Sequence, residues 1–482
     1  MKKPLSGVNA SCPGAATGTA SERRWFEPAD LHEHRLLVLV AGVTAGLFAV
    51  AYVHVAGNAW FFQDDFLYLT RYARSAGLSS PTLAQLLVEN FGRPVSRNLY
   101  WFVLYQSFGM AAPLYYLANL GIVMACAVML FRLGRLLGAD FSTALVWSVS
   151  YFVSAPTVGN LSWLSNSQHM LAHLFTVLAL TVGVRDADMG NWAWYKVVVL
   201  GALCLLGAFS NAFALAAIPL ILLYCWSNGA LGRAGHCGPF LVLTIVWLAS
   251  AAVLFYALKG RAAGPYELDV SARNALATLA YYVEYPKVTL LCLGGVGVVA
   301  FVRRDHILLW LLASAVLFYA PFAFLKFQRY ENYIGLAHLF VVAALAWLVT
   351  RSLPRLPRIR DLLLVLLIGA VALGGREPLR SLVLHPKGKA EKELIEGLAV
   401  QVFGGRKLVC LRLNTVNNTT GVSEWDIPPT WWFLGLGEAF LWVPTISPRE
   451  YVLGTDSRCA VAGAVHVAVG RRNGRYIFAA LD

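Results

Sequence analysis

What most constrains this chain is a succession of long apolar runs, each closed by a short segment rich in Arg and Lys. A helix needs about 20 mostly apolar residues to cross a bilayer. The candidate spans are 36–56, 114–131, 141–157, 169–184, 196–210, 212–227, 238–257, 287–302, 306–322, 333–350 and 361–375, eleven in all. Only 13% of the residues are charged, against about 25% in soluble domains, and the mean hydropathy is +0.61. The expected class is an all-α polytopic membrane protein. A net charge of +13 would suggest nucleic acid in a soluble domain. Here the basic residues lie between apolar runs, where they set orientation, so a nucleic-acid partner is not expected.

Residues 1–35 are polar and precede an apolar run too long for a signal peptide, so they read as a disordered cytoplasmic leader. With that leader inside, the inside loops carry Arg23, Arg24 and Arg35, then Arg132 and Arg135, Arg185 and Lys196, Arg233, Arg303 and Arg304, and finally Arg351, Arg355, Arg358 and Arg360. Every inside loop is then basic, as orientation by positive charge requires. The outside segments are 57–113, 158–168, a tight turn near Ser210 and Asn211, 258–286, 323–332 and everything after 375. Merging 196–227 into one kinked span would invert all later loops and put the Arg351 to Arg360 cluster outside. The expected domains are the leader, a transmembrane domain over 36–375 and a small external domain over 376–482.

That last region has a helical apolar pattern at 391–402 and strand-like patterns at 407–413, 461–469 and 476–480, so an α/β-type fold is expected. Cys126, Cys204, Cys225 and Cys292 lie within apolar runs and read as small core residues. Cys410 and Cys459 stand in the polar tail, where a disulfide requires an oxidising compartment and proximity that spacing does not establish.

The first external loop carries the densest chemistry. GNAWFFQDDFLY, 57–68, sets Asp64 and Asp65 among aromatics directly after the first span. Residues 81–90 pattern as an interfacial helix. FGRPVSRNLYW follows, and if Pro94 opens a helix, Arg93 and Arg97 stand four residues apart and can point the same way. Guanidinium forks suit phosphate, and a carboxylate shielded by Trp60, Phe61, Phe62 and Phe66 can serve as general base toward a hydroxyl or amine. An acid pair such as Asp64 and Asp65 is also a candidate ligand set for a divalent cation. The plainer alternative is a solvated helix cap beside arginines that anchor to lipid headgroups.

The order of these features resembles the GT-C superfamily of membrane glycosyltransferases, nearest the protein O-mannosyltransferase-like branch. The match is carried by FQDDF after the first span, GRPVSRNLYWFVLYQSFGMAAPLYYLANL into the second, LGAFSNAFALAAIPLILL, and FQRYENYIGLAHLFVVAALAWL before a late span. It covers about 36–350. The resemblance implies an inverting transfer of sugar from a polyprenyl-phosphate donor to an acceptor glycan, lipid or protein at the outer membrane face, with membrane lipids as surroundings. It implies Asp64 or Asp65 as catalytic base, with Asp64 matching the first acidic position of the family's pair. Many relatives carry Lys-Glu where this chain has Ser210-Asn211, so a role for that pair does not carry over. The tail has neither a helical repeat array nor a β-trefoil, which leans toward a bacterial inner membrane with the site and C-terminus on the periplasmic side.

The donor phosphate would meet Arg93, Arg97, Lys326, Arg329 and Tyr330, although Lys326 also suits snorkelling and Arg329 interfacial anchoring. Trp163, Asn166, Gln168 and His169 lie on the same side. A Trp can stack on a sugar face, and Asn and Gln can bind hydroxyls. The loop 258–286 adds Glu284 among tyrosines, as part of a lid or an interfacial belt. The competing function is a transporter or flippase for lipid-linked glycans, which would place ionisable groups within spans. A scaffold with a degenerate enzyme core is a third reading.

Overall fold

A computed structural model describes residues 33–61, 65, 68–69, 93–189, 192–230, 237–259, 269, 271–284, 289–325 and 331–386, and the backbone of four strands within 409–481. Backbone alone is described at 237, 254–259, 279, 282–284, 289–295 and 331. A helix lies within each of the eleven expected spans. They are α1 (Arg35–Asn58), α2 (Tyr100–Phe108), α3 (Ala112–Leu136), α4 (Phe141–Val153), α5 (Ala155–Leu161), α6 (Ser167–Met189), α7 (Trp194–Ala208), α8 (Ala217–Ser227), α9 (Cys237–Lys259), α10 (Ala272–Glu284), α11 (Thr289–Arg303), α12 (His306–Ala323), α13 (Gly335–Ser352) and α14 (Pro357–Leu384).

Among the described residues, six helical segments, those at Arg35–Asn58, Ala112–Leu136, Leu164–Met189, His306–Ala323, Asn332–Ser352 and Pro357–Leu384, are long and apolar enough to cross a membrane. Large apolar side chains such as Leu39, Leu47 and Val50 on α1 and Leu366 and Leu373 on α14 stand exposed. Water would penalise that surface and lipid would not, so the chain is an integral membrane protein. α6 and α13 form the buried centre. Along α13 an unbroken series from Gly335 to Ala344 is buried, as expected of a helix surrounded by others.

The sequence left open whether 196–227 is one span or two. The structure gives two. Lys196 at the start of α7 pairs with Asp186 near the end of α6 (3.1 Å), and Tyr224 near the end of α8 donates to Asp188 of the same segment (3.0 Å). Asn211, between α7 and α8, instead meets His169 at the opposite end of α6. The chain therefore runs out along α7, turns at 209–211, and returns through a 3₁₀ turn (Ala212–Ala216) and α8.

Three expectations need correction. The span 141–157 is broken, because α4 stops at Val153 and Ser154 is extended (φ −70°, ψ 149°). Its hydroxyl donates to the Tyr151 carbonyl (3.0 Å) and to Thr157 Oγ1 (3.2 Å). Pro156 then sits in the first turn of α5, where its missing N–H costs nothing. Nor is the outside segment 158–168 a loop. It forms α5 and a 3₁₀ turn (Leu164–Asn166), with most side chains buried. Non-helical backbone survives at such depth where protein surrounds it. The last helix also runs to Leu384 rather than stopping near 375.

In the C-terminal region, β1 (Val409–Leu413), β2 (Tyr451–Leu453), β3 (Val465–Arg472) and β4 (Arg475–Leu481) form one sheet in the order β2-β1-β3-β4. β1 is parallel to both β2 and β3, and β3 is antiparallel to β4. Three strands were expected from the sequence, and β2 was not. The helical pattern at 391–402 and Cys459 lie outside the described residues.

The two ends of the bundle differ in chemistry. One end gathers the basic loops. Arg360 bridges Asp140 (3.3 Å) and Asp361 (3.3 Å), His34 meets Asp361 (2.9 Å), Arg303 donates to Ser352 (3.0 Å), and Arg351 lies over Trp347. The other end gathers 57–61, 65, 93–98, 160–169, 209–212 and 332–334, which include parts of four segments that the charge pattern assigned to the outside.

Candidate active site

Asp65 is fully buried. Its Oδ1 accepts from the Ser165 amide (3.0 Å) and the Ser165 hydroxyl (2.6 Å). Ser165 lies in the 3₁₀ turn that leads into α6. The first amides of a helix have no partner within it and carry partial positive charge, so a carboxylate from a hundred residues away satisfies one of them and fixes the turn.

Aromatic packing fixes Phe61 and Tyr68, which flank Asp65 in the chain. Phe61, also fully buried, meets Tyr115 edge to face (5.2 Å between centroids). Tyr115 packs on Trp101 (5.6 Å), and Trp101 on Tyr68 (5.2 Å). The guanidinium of Arg97, itself buried, lies 5.6 Å from the centre of the Tyr68 ring, a cation–π distance. Nearby, Tyr100 donates to Asn119 Oδ1 (2.6 Å), and burial pushes its phenol above the ordinary value.

Pro94 does open a helix, and Val95–Leu99 winds as a π-helix, a form that recurs at functional sites. Val95 donates to the Phe209 carbonyl (3.3 Å) and Ser96 Oγ to the Ser210 carbonyl (2.8 Å), so the α7–α8 turn carries this segment on its backbone. Arg93 Nη1 donates to Gln168 Oε1 (2.6 Å), and Arg93 and Arg97 both lie within Coulombic reach of His169.

His169 is buried, stacked on Phe213 (6.0 Å, 6°) and tilted against Tyr333 (5.0 Å). Its Nδ1 is 3.3 Å from Asn211 Nδ2. Asn166 Nδ2 donates to the Gly159 carbonyl (3.2 Å), and Asn160 Nδ2 to the Asn332 carbonyl (3.3 Å). Asp65, Arg93, Arg97, Trp163, Asn166, Gln168 and His169 thus share one end of α6. Of these, Arg93 and Trp163 are half-buried and the rest buried.

Asp64, Lys326, Arg329 and Tyr330 lie outside the described residues, although the segment after that loop, Glu331–Ile334, belongs to this end. Glu284 closes α10, and its backbone alone is described. Among the described residues no group of three or more His, Cys, Asp or Glu gathers as metal ligands.

Sequence reasoning missed Ser165, Asn160, Asn211 as partner of His169, and His173. His173 Nδ1 is 3.1 Å from the Tyr151 hydroxyl, and its ring packs so closely on Gly335 that a Cβ there would lie 2.6 Å from Cε1. The i, i+4 spacing of His169 and His173 on a buried helix was the one available signal.

No protein-family model matches the chain, and no curated protein does. Among solved structures, the chain is similar to the Archaeoglobus fulgidus oligosaccharyltransferase in its apo form, with TM-score 0.49, 12% identity and 87% of this chain covered. It spans 64% of that protein's length. The same enzyme with Zn and sulfate gives TM-score 0.49 and 10% identity, with 86% of this chain and 62% of that one covered. ArnT from Cupriavidus metallidurans in the apo state gives TM-score 0.47 and 13% identity, with 92% of this chain and 97% of that one covered.

Proposed function

We propose that this protein is a GT-C-type glycosyltransferase that moves a sugar from a polyprenyl-phosphate donor to an acceptor hydroxyl or amine at the external face of the membrane. The observation that carries the reading is the meeting of Asp65, Arg93 and Arg97 at the N-terminal end of α6, away from the basic rim. A cationic cluster beside an acidic loop at a membrane face suits transfer from a phosphate-linked lipid.

Asp64 acts as base and takes the proton of the acceptor. The freed lone pair attacks the anomeric carbon from the face opposite the phosphate, and the bond from that carbon to the phosphate oxygen breaks. Polyprenyl phosphate departs with the electron pair, and the configuration inverts. Asp65 positions its neighbour by anchoring the chain to Ser165. Arg93 and Arg97 hold the phosphoryl oxygens, and Arg329, Tyr330 and Lys326 are further candidates for that role. Trp163, the half-buried ring of the turn, stacks on the sugar, and Asn166, Gln168 and His169 hold the turn and Arg93 in place. Asp64 and Asp65 are also the candidate ligands for a divalent cation.

The transporter reading has one observation in its favour, since His173 and His338 are buried within spans, where ionisable groups mark transport pathways. His173 is committed to Tyr151 and to the Gly335 contact, which suits packing better than passage. Purified protein in vesicles, given a panel of polyprenyl-phosphate sugars, separates the two. Sugar release with appearance of free polyprenyl phosphate supports the transferase, and movement of an intact lipid-linked glycan without bond cleavage supports the transporter.

A further inference from the structure

The break between α4 and α5 is held from outside by the last helix. The carbonyl of Val153 ends α4, and the extended Ser154 turns the chain away from the helical path. α14 passes so near that a Cβ on Gly375 would collide with the Val153 carbonyl oxygen, and it would also lie 3.3 Å from Phe48 Cε1 of α1. The colliding group is backbone, so no side-chain rotation relieves it. Gly374, the preceding residue, has nothing within 4 Å of the equivalent point. Two adjacent glycines on one helix therefore stand in opposite circumstances.

What the break supports is the candidate site. α5 leads directly into the 162–166 turn, which is tied back to it by Ser162 Oγ (2.6 Å) and Asn166 Nδ2 (3.2 Å), both donating to the Gly159 carbonyl. That turn presents the Ser165 amide and hydroxyl to Asp65. α5 is also bound to the segment before α13 through Asn160 and the Asn332 carbonyl. The base of α4 is clamped to the same last helix by Asp140 and Arg360, so α14 grips α4 at both ends.

We propose that Gly375 is a positioning residue for the site. By admitting α14 against the Val153 carbonyl, it sets the α4–α5 break and hence the aim of the turn that receives Asp65 and carries Trp163. The catalytic consequence rests on the transferase reading, and the structural one does not.

The test compares Gly375→Ala with Gly374→Ala in the full-length protein carrying fluorotryptophan, with the ¹⁹F resonance of Trp163 assigned by its loss in Trp163→Phe. Both substitutions add the same methyl group and the same gain in helix propensity. Gly375→Ala is expected to shift the Trp163 resonance and to lower sugar transfer at least tenfold, mostly in kcat, while Gly374→Ala leaves both at wild-type values. Equal behaviour of the two variants overturns the proposal.

Should Gly375→Ala not yield folded protein, Ser154→Ala perturbs the same break from its other side. It is expected to shift the Trp163 resonance with the protein still folded, and an unchanged resonance would overturn the proposal. A shifted resonance in a protein whose wild type transfers no sugar contradicts the transferase reading and leaves the positioning role standing.

Discussion

Removing the Asp65 carboxylate probes the contact on which the site is built. It accepts two hydrogen bonds from Ser165 while fully buried. Hydrogen bonds to a charged group contribute about 1.5–3 kcal/mol each, and a buried donor stranded without a partner costs about 1–3 kcal/mol. Asp65→Ala strands both donors and is expected to cost roughly 3 kcal/mol or more by that reckoning. Asp65→Asn keeps an acceptor oxygen. It loses the favourable placement of a negative charge at a helix N-terminus, up to about 2 kcal/mol, but it also removes the expense of burying a charge, so a net loss near 1 kcal/mol is expected. Ser165→Ala removes the hydroxyl and leaves the amide. A double-mutant cycle between Asp65→Ala and Ser165→Ala should therefore give a coupling of about 1.5–3 kcal/mol, read from unfolding of the protein in bicelles. Additive losses, with coupling below about 0.5 kcal/mol, would refute the claim that Asp65 secures this turn.

Other outcomes follow from the same geometry. Arg93→Lys loses the planar fork while keeping the charge, and kcat/KM for a polyprenyl-phosphate sugar should fall by about 10–100-fold, the equivalent of about 1.4–2.7 kcal/mol. Gly335→Ala overpacks the His173 ring and should destabilise by about 1–3 kcal/mol; thermal unfolding should show His173→Ala restoring part of the loss in the double variant. Arg360→Met removes the bridge between Asp140 and Asp361 at the far rim, leaving two carboxylates without their shared cation. Unfolding midpoints should drop while KM for the donor stays at its wild-type value.

The helices were legible because apolar length and basic loops are local properties of the chain. Placing 57–113, 158–168, the Ser210-Asn211 turn and 323–332 on one side followed from alternation alone, and the structure brings parts of each together at the head of α6. Contacts between distant segments were not legible. Nothing near Ser165 announces that residue 65 will supply its acceptor, and nothing near Gly375 announces the Val153 carbonyl. The Ser154 break was hidden because Pro156 sits among apolar residues, and a proline in the first turn of a new helix looks, in sequence, like one tolerated within a long span. β2 was missed because three residues are too few for an alternation to show. The Arg93 and Arg97 pair was visible from its four-residue spacing, and Gln168 was named as a hydroxyl binder, but neither Gln168 nor Tyr68 was recognisable as the partner of a guanidinium.

Turnover of Asp64→Asn beside that of Asp65→Asn tests the central claim most directly. In vesicles supplied with a polyprenyl-phosphate sugar that the wild type consumes, Asp64→Asn should lose about 10²–10⁴-fold in kcat, the usual contribution of a general base, while Asp65→Asn retains the larger share of activity. Wild-type turnover by Asp64→Asn would contradict the account.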